Sequence, residues 1–174
     1  RGAVPGLSLE EDALLTAHRQ GMVRSGLVIR RAMRKFAEAC IQRFDVRSGG
    51  PESAARSLSG GNLQKYIVGR EIMQSPKVLV VSQPTWGVDV GAAAFIRQSM
   101  IALRNEGTAI LVVSEELDEL FEICDRIAVI AEGRLSPAVP ARETSVEEIG
   151  RWMSGLWGDR ASQATAATEA RVAA

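Results

Sequence analysis

The chain has 174 residues, a hydrophobic fraction of 46% and equal numbers of basic and acidic side chains, 21 of each, so its formal net charge is zero. This balance gives no reason to expect nucleic acid or an anionic membrane surface as the partner of the chain as a whole. No apolar stretch approaches the ~20 residues that span a bilayer. The two cysteines, Cys40 and Cys124, favour a reducing compartment. The single histidine, His18, has no cysteine near it in the sequence, which argues against a metal site.

The first 60 residues are predicted to form a helical layer without strands. Ser8 followed by Glu11 is a capping-box pattern that predicts the start of a helix. A second helix is predicted from Ile29 to Phe44, because apolar residues recur there at helical spacing, and we interpret this stripe as core packing. The basic residues Arg30 and Arg31 in the same segment are predicted to lie on a solvated helix face.

The rest of the chain alternates between helical and strand patterns. Short apolar runs predict strands at residues 78–81, 109–113 and 126–131, of which the first is predicted to be buried on both faces and the second to be buried as well. Helices are predicted at 63–74, 91–105 and 116–123, and Ser145 with Glu148 forms a second capping box before the last helix. This order predicts an α/β fold with a mainly parallel sheet. Residues 159–174 are predicted to form a flexible tail.

The segment Leu58-Ser59-Gly60-Gly61-Asn62 is the strongest local feature. It places a hydroxyl and two glycines where a helix begins, so that free N–H groups and the helix dipole favour an anion such as phosphate. The Asn62 amide is expected to reach a ribose or phosphate oxygen. Taken alone, the same pattern also fits an ordinary serine-capped helix after a glycine turn.

A second segment follows the first predicted strand and reads Ser82-Gln83-Pro84-Thr85-Trp86-Gly87-Val88-Asp89. Polar side chains at the carboxyl end of a parallel strand lie where α/β sheets bind ligands. Together the two segments resemble the ATP-binding subunits of ABC transporters, in which the first is the signature loop and the second covers the Walker B strand and the D-loop. The resemblance extends over about residues 1–155, and Asn62 with the run from Gly87 to Gly91 is similar to the second nucleotide-binding half of sugar and nucleoside importers.

The resemblance implies a P-loop NTPase-like ABC ATPase domain. Residues 1–76 correspond to a helical subdomain with the signature loop, and residues 77–158 to the carboxyl-terminal part of the α/β ATPase core. The implied nucleotide-binding residues of this chain are Ser59, Gly60, Gly61, Asn62, Ser82 and Asp89.

Three positions depart from the family pattern. Where the family has a Walker B aspartate and then a catalytic glutamate, this chain has Ser82 and Gln83. Serine brings no formal charge to a metal ion, and glutamine is a poor general base near neutral pH. Glu115 stands at the position of the switch histidine, where a carboxylate repels a γ-phosphate. We therefore expect this half to be degenerate and its signature loop to serve a partner site.

No Gly-x-x-x-x-Gly-Lys-[Ser/Thr] motif occurs in the sequence, so the P-loop strand and helix are expected to be absent and the chain to be a fragment. ATP and Mg²⁺ are expected to be held mainly by a partner nucleotide-binding half, in cis or in trans. The other expected partners are transmembrane permease subunits and, indirectly, an extracytoplasmic solute-binding protein, with no nucleic acid. The expected place is the cytoplasmic face of the membrane.

Two alternatives stay open at this point. One is a regulatory or binding module in which the nucleotide site is vestigial. The other concerns Trp86 alone, which either stacks on a partner surface or packs against its own domain. A DNA-repair or translation ABC protein is disfavoured because the chain has no coiled-coil insertion and no basic arm.

Overall fold

A computed structural model describes residues 2–157, so the predicted flexible tail at 159–174 lies outside the described residues. The chain divides into two compact units, Arg1–Val113 and Ser114–Ala174. The boundary predicted at residue 76 falls inside the first unit. In residues 2–157 no helix combines the length and the hydropathy that a bilayer crossing demands.

The first unit contains four helices and two pairs of strands. Its helices are α1 Leu9–Ala17, α2 Arg30–Arg43, α3 Gly60–Ile72 and α4 Val90–Asn105, and its strands are β1 Val23–Arg24, β2 Leu27–Val28, β3 Val78–Ser82 and β4 Ala109–Val113.

The start of α1 confirms the predicted capping box. The Ser8 hydroxyl accepts a hydrogen bond from the Glu11 backbone N–H at 3.3 Å, and the Glu11 carboxylate accepts one from the Ser8 backbone N–H at 2.9 Å. Both donors are groups that a helix leaves without an internal partner. The hydrogen bond from the Ser8 N–H, with a second one that the Ser8 hydroxyl donates to the same carboxylate at 2.9 Å, lowers the pKa of Glu11.

The predicted packing role of the α2 stripe is supported by burial. Met33, Ala37 and Cys40 of this stripe are buried. Desolvation raises the pKa of the Cys40 thiol to about 12, so this side chain stays a neutral, apolar group. Nearby, the buried Tyr66 hydroxyl donates to the Leu9 carbonyl, which ties α3 to α1.

The prediction of a strand-free amino-terminal layer is wrong. β1 and β2 form a short antiparallel hairpin in which Val23 lies opposite Val28 and Arg24 opposite Leu27. The turn residues Ser25 and Gly26 have φ angles of 50° and 78°. Positive φ at both positions defines the tight turn whose twist matches that of paired strands. Two-residue strands are too short to show an alternating pattern.

The predicted parallel sheet is represented by β3 and β4, which pair in register from Val78 opposite Ala109 to Ser82 opposite Val113. The predictions that β3 is buried on both faces and that β4 is a second buried strand are wrong for this chain. In β4, Leu111 and Val113 are 57% and 48% exposed. Leu79 is 6% exposed, whereas Val78 and Val80 on the opposite face are 63% and 64% exposed. An unbroken apolar run cannot show which of its two faces is covered.

In its described part, up to residue 157, the second unit contains α5 Leu117–Ile123, α6 Val146–Met153 and four two-residue strands, β5 Arg126–Ile127, β6 Ile130–Ala131, β7 Arg134–Leu135 and β8 Val139–Pro140. The strand predicted at 126–131 is therefore two strands, because β5 pairs with β8 and β6 with β7, both antiparallel. Trp152 and Trp157 belong to its buried core. The Ser145 hydroxyl caps α6 by accepting from the Glu148 N–H at 3.2 Å.

Candidate functional site

The amino terminus of α3 is the centre of the candidate site. Ser59 is the cap residue, and its hydroxyl accepts a hydrogen bond from the Asn62 N–H at 3.4 Å. The helix begins at Gly60, three residues before the predicted start, so both glycines lie in its first turn. Within the described residues the N–H groups of Gly60 and Gly61 have no protein acceptor, as is usual for the first positions of a helix.

Both glycines are required by the close approach of α4. A Cβ atom on Gly61 would lie 2.9 Å from Asp89 Oδ2 and 3.1 Å from Ala92 Cβ, and one on Gly60 would lie 3.2 Å from the Gly87 carbonyl oxygen. These distances are shorter than ordinary carbon contacts. The signature segment and the residues around Asp89 therefore pack directly against each other within the first unit.

Asn62 is engaged by its own chain at both ends of its amide. Its Nδ2 donates to the Ser59 hydroxyl at 2.9 Å, and its Oδ1 accepts from the Arg47 N–H at 2.8 Å. The expected reach to a ribose or phosphate oxygen is thus not the arrangement seen here. Asn62 instead holds the Ser59 hydroxyl in place and ties the loop at Arg47 to the start of α3.

Asp89 caps α4. Its Oδ1 accepts a hydrogen bond from the Ala92 N–H at 2.9 Å. That hydrogen bond is the main cause of a lowered pKa at Asp89, to which the charge of Lys65 adds. The carboxylate is therefore ionised at neutral pH. The sequence prediction began the helix at Gly91 and missed the cap, although aspartate directly before a helical pattern is a known signal.

The turn after β3 carries the two departures from the family pattern. Ser82 is the last residue of β3 and is exposed. Gln83 has a φ angle of 50°, unusual for a residue with a side chain, and its N–H donates to the Val113 carbonyl at 2.8 Å. The Trp86 N–H donates a hydrogen bond to the Gln83 carbonyl at 3.2 Å, which stabilises the turn. The Trp86 side chain is 73% exposed, which disfavours the packing alternative.

Glu115 belongs to the second unit, where it is exposed between β4 and α5. Its neighbour Ser114 organises the start of α5. The Ser114 hydroxyl accepts from the Glu116 N–H and donates to the Glu119 carboxylate, both at 3.1 Å. The segment thus has a defined local conformation.

Three further residues, which the sequence analysis did not count among the nucleotide-binding residues, support the site. Arg47 donates its N–H to Asn62, Gly87 contacts Gly60, and Lys65 lies with its Nζ 5.0 Å from the centroid of the Phe95 ring. The first two contacts depend on tertiary packing, and no local pattern indicates them.

The arrangement fits a phosphate oxygen. A capped helix start presents two free N–H groups, a positive dipole end and the Ser59 hydroxyl, and none of these groups is a general base. In residues 2–157 there is no cluster of three or more His, Cys, Asp or Glu side chains placed to hold a metal ion. The capped start of α3 can therefore bind a phosphate oxygen.

Comparison with curated proteins shows extensive similarity. The chain is 43% identical over 146 residues to a nucleoside import ATP-binding protein, NupA, of Lactococcus lactis, covering 84% of this chain and 29% of the relative. It is 40% identical over 164 residues to a guanosine import ATP-binding protein, NupO, of Bacillus subtilis, an alignment that covers 94% of this chain and 32% of the relative. A ribose import ATP-binding protein, RbsA 2, of Rhizobium meliloti is 41% identical over 131 residues, covering 75% and 26%. The chain thus spans about three tenths of the length of these curated relatives.

Comparison with solved structures shows the fold. A dimeric ATP-binding cassette, MJ0796, in a post-hydrolysis state bound to ADP and Pi, aligns with a TM-score of 0.66 over 80% of this chain and 59% of that chain, at 21% identity. No family model matches the chain.

Proposed function

The chain belongs to the ATP-binding proteins of ABC importers over the part of them that it spans, and we propose that it presents its signature loop to an ATP molecule held by a partner nucleotide-binding half. In this proposal it couples ATP binding and hydrolysis to import of a simple sugar or a nucleoside. The observation that carries the proposal is the capped start of α3, packed against Asp89.

The geometry supports a role for Ser59, Gly60 and Gly61 in contacting a γ-phosphate. Asn62 fixes the Ser59 hydroxyl oxygen, because that oxygen accepts hydrogen bonds from both the Asn62 N–H and its amide. The hydroxyl proton is thereby left to donate outward. The two glycines allow a close approach on one side and leave their N–H groups free on the other. This is a preorganised set of donors.

The residues after β3 support a degenerate site in this half. A glutamine cannot accept a proton usefully near pH 7, and general-base help is worth about 10²–10⁴ in rate. Neither Ser82 nor Gln83 carries a charge for Mg²⁺, and Glu115 adds a negative charge at the position where the family has its switch histidine. We propose that Gln83 and Glu115 occupy catalytic positions without supplying the catalytic groups.

The contact between Gly61 and Asp89 suggests how the two sites of such a pair are coupled. A shift of Asp89 has to move the start of α3, because the two segments touch. Trp86, exposed three residues earlier, is proposed to contact the partner half.

The similarity to import ATP-binding proteins supports the remaining proposals. Bound ATP supplies the phosphoryl group, with Mg²⁺ neutralising its charge, and we propose that both are held mainly by the partner half. Permease subunits are proposed as membrane partners, with an extracytoplasmic solute-binding protein acting through them. The proposed location is peripheral, on the cytoplasmic face of the membrane.

One prediction concerns the chain alone. We expect the 174-residue chain to bind ATP weakly or not at all in isothermal calorimetry, because its sequence contains no P-loop and a helix start supplies only a few phosphate donors. Tight, Mg²⁺-dependent binding by this chain would contradict the proposal that ATP is held elsewhere.

The second candidate function is a regulatory module with a vestigial site, which the missing P-loop motif favours. It also predicts weak ATP binding by the isolated chain. The two functions separate in the assembled transporter, where a vestigial site tolerates changes at Ser59 and a signature loop does not.

A further inference from the structure

The β1–β2 hairpin exposes aliphatic side chains on a fixed support. Leu27 is 73% exposed, Val28 49% and Val23 41%. The hairpin is anchored by Met22, which is fully buried among residues of α1 and α2, and by the Ile29 N–H, which donates to the Met22 carbonyl at 2.8 Å. The buried Met22 and this hydrogen bond therefore fix the hairpin, and its aliphatic side chains are exposed to solvent.

The same region is strongly basic, although the chain as a whole is neutral. Residues 13–37 contain no aspartate or glutamate, and their cations are Arg19, Arg24, Arg30, Arg31, Arg34 and Lys35. Arg34 is paired with Glu38 and Glu52. Arg24, Arg31 and Lys35 have no ion pair within the described part of the chain, and all three are exposed.

The start of α2 contradicts the usual charge preference of helices. Its first turn contains Arg30 and Arg31 and no acidic residue, and its cap residue, Ile29, makes no side-chain hydrogen bond. Cations near a helix amino terminus are unfavourable, because they oppose the positive end of the helix dipole. Local rules are most often broken at functional sites. An anionic partner would relieve this repulsion.

We propose that the hairpin and the start of α2 bind the anionic headgroups of a membrane surface. The basic hairpin surface consists of Arg24 and Leu27, which are paired across the hairpin and therefore lie on one face of it, with Arg31 and Lys35 of α2. Its aliphatic side chain, Leu27, is suited to the boundary between headgroups and acyl chains, and its cations to the anionic lipids there. An acidic protein loop would satisfy the cations but needs no aliphatic side chain as exposed as Leu27, so the lipid surface is the occupant that uses both features.

Binding of the hairpin surface to lipid does not depend on ATP or on a partner half. A result against lipid binding therefore leaves the proposed function intact, and a result against the proposed function leaves lipid binding intact. The test is co-sedimentation of the 174-residue chain with phosphatidylcholine vesicles that contain or lack phosphatidylglycerol. We expect binding only to the anionic vesicles. Binding should weaken at high salt, because salt screens the attraction between the basic side chains and the anionic headgroups.

Two variants test the surface itself. The double variant R24E/R31E removes two cations, and each cation near an anionic surface raises the affinity for it about fivefold. We therefore expect the affinity for anionic vesicles to fall by about 30-fold or more. The control R56E/K77E makes the same charge change at two exposed residues outside the surface and should bind nearly as the native chain does. Leu27→Ser should weaken binding by about tenfold, whereas Leu156→Ser, at a residue 71% exposed in the second unit, should not.

Circular dichroism and thermal melting of each variant check that the fold is kept, which we expect because the replaced side chains are exposed. Equal losses in the two double variants would show a general charge effect and overturn the proposal. So would equal binding to neutral vesicles, or binding to an acidic peptide without binding to anionic vesicles.

Discussion

Replacing Ser59 by arginine is expected to lower ATP turnover of the assembled transporter by at least about 100-fold, the usual effect of losing a preorganised donor to a developing charge. The change removes the hydroxyl that caps α3 and that Asn62 holds at 2.9 Å. It also places a long side chain beside Gly60 and Gly61, where the backbone has to approach the phosphate. The measurement is phosphate release by the assembled transporter at saturating ATP.

A matched control lies two residues earlier. Ser57 is also exposed, and its hydroxyl makes a local hydrogen bond to the Ala54 carbonyl at 2.7 Å. Ser57→Arg should change turnover by less than about threefold, since surface substitutions away from special features have small effects. Turnover that survives Ser59→Arg, with the subunit still assembled, would show that the start of α3 is not a phosphate contact.

The second large effect concerns stability. Gly69→Ala in α3 should lower the free energy of unfolding by about 1–3 kcal/mol, the usual cost of overpacking a core. A Cβ atom at this position would lie 2.6 Å from carbon atoms of the Phe44 ring. That ring is 4% exposed and packs edge-on against Phe95 at a centroid distance of 6.2 Å, so moving it away from the added Cβ atom disturbs this contact. Urea unfolding followed by circular dichroism measures the change.

Gly150 provides the comparison, because it lies within α6 and a Cβ atom there would have nothing within 4 Å. Gly150→Ala should leave stability unchanged or raise it by up to about 1 kcal/mol, since alanine is the better helix former. If the Phe44 contact is the cause, adding Phe44→Leu to Gly69→Ala should cost less than the sum of the two single changes. Equal effects of the two glycine replacements, or strict additivity with Phe44→Leu, would contradict this explanation.

The helices could be predicted from the sequence because their signals are local. The capping box at Ser8 and the apolar stripe of α2 act over one or two helical turns, and both were found where the pattern indicated. The β1–β2 hairpin could not be found in this way, because its strands are two residues long and its main signal is the Ser25-Gly26 pair. The exposed face of β3 was missed for a different reason. Burial is a property of the neighbours of a strand, and an apolar run does not identify them.

The candidate site likewise has features that the local sequence indicates and features that depend on tertiary packing. The residue types indicated Ser59 and the two glycines as candidates, because a phosphate contact favours these types at the start of a helix, and the resemblance to ABC proteins indicated Asp89. The sequence could not show that Gly61 faces Asp89, or that the Asn62 amide is already bound by Ser59 and Arg47. Both facts depend on how α3 and the loop at Arg47 pack in three dimensions. They change the role expected of Asn62 from a ligand to a positioning residue.

The central claim is that this chain serves ATP held by a partner half and does not catalyse hydrolysis at its own strand end. The most direct test is the turnover of the assembled transporter with Gln83→Ala, measured beside Ser59→Arg in the same preparation. The claim predicts that Gln83→Ala stays within about twofold of the native rate, because the glutamine supplies none of the roughly 10²–10⁴ that a general base contributes. A loss of that size with Gln83→Ala would contradict it and would place catalysis in this half.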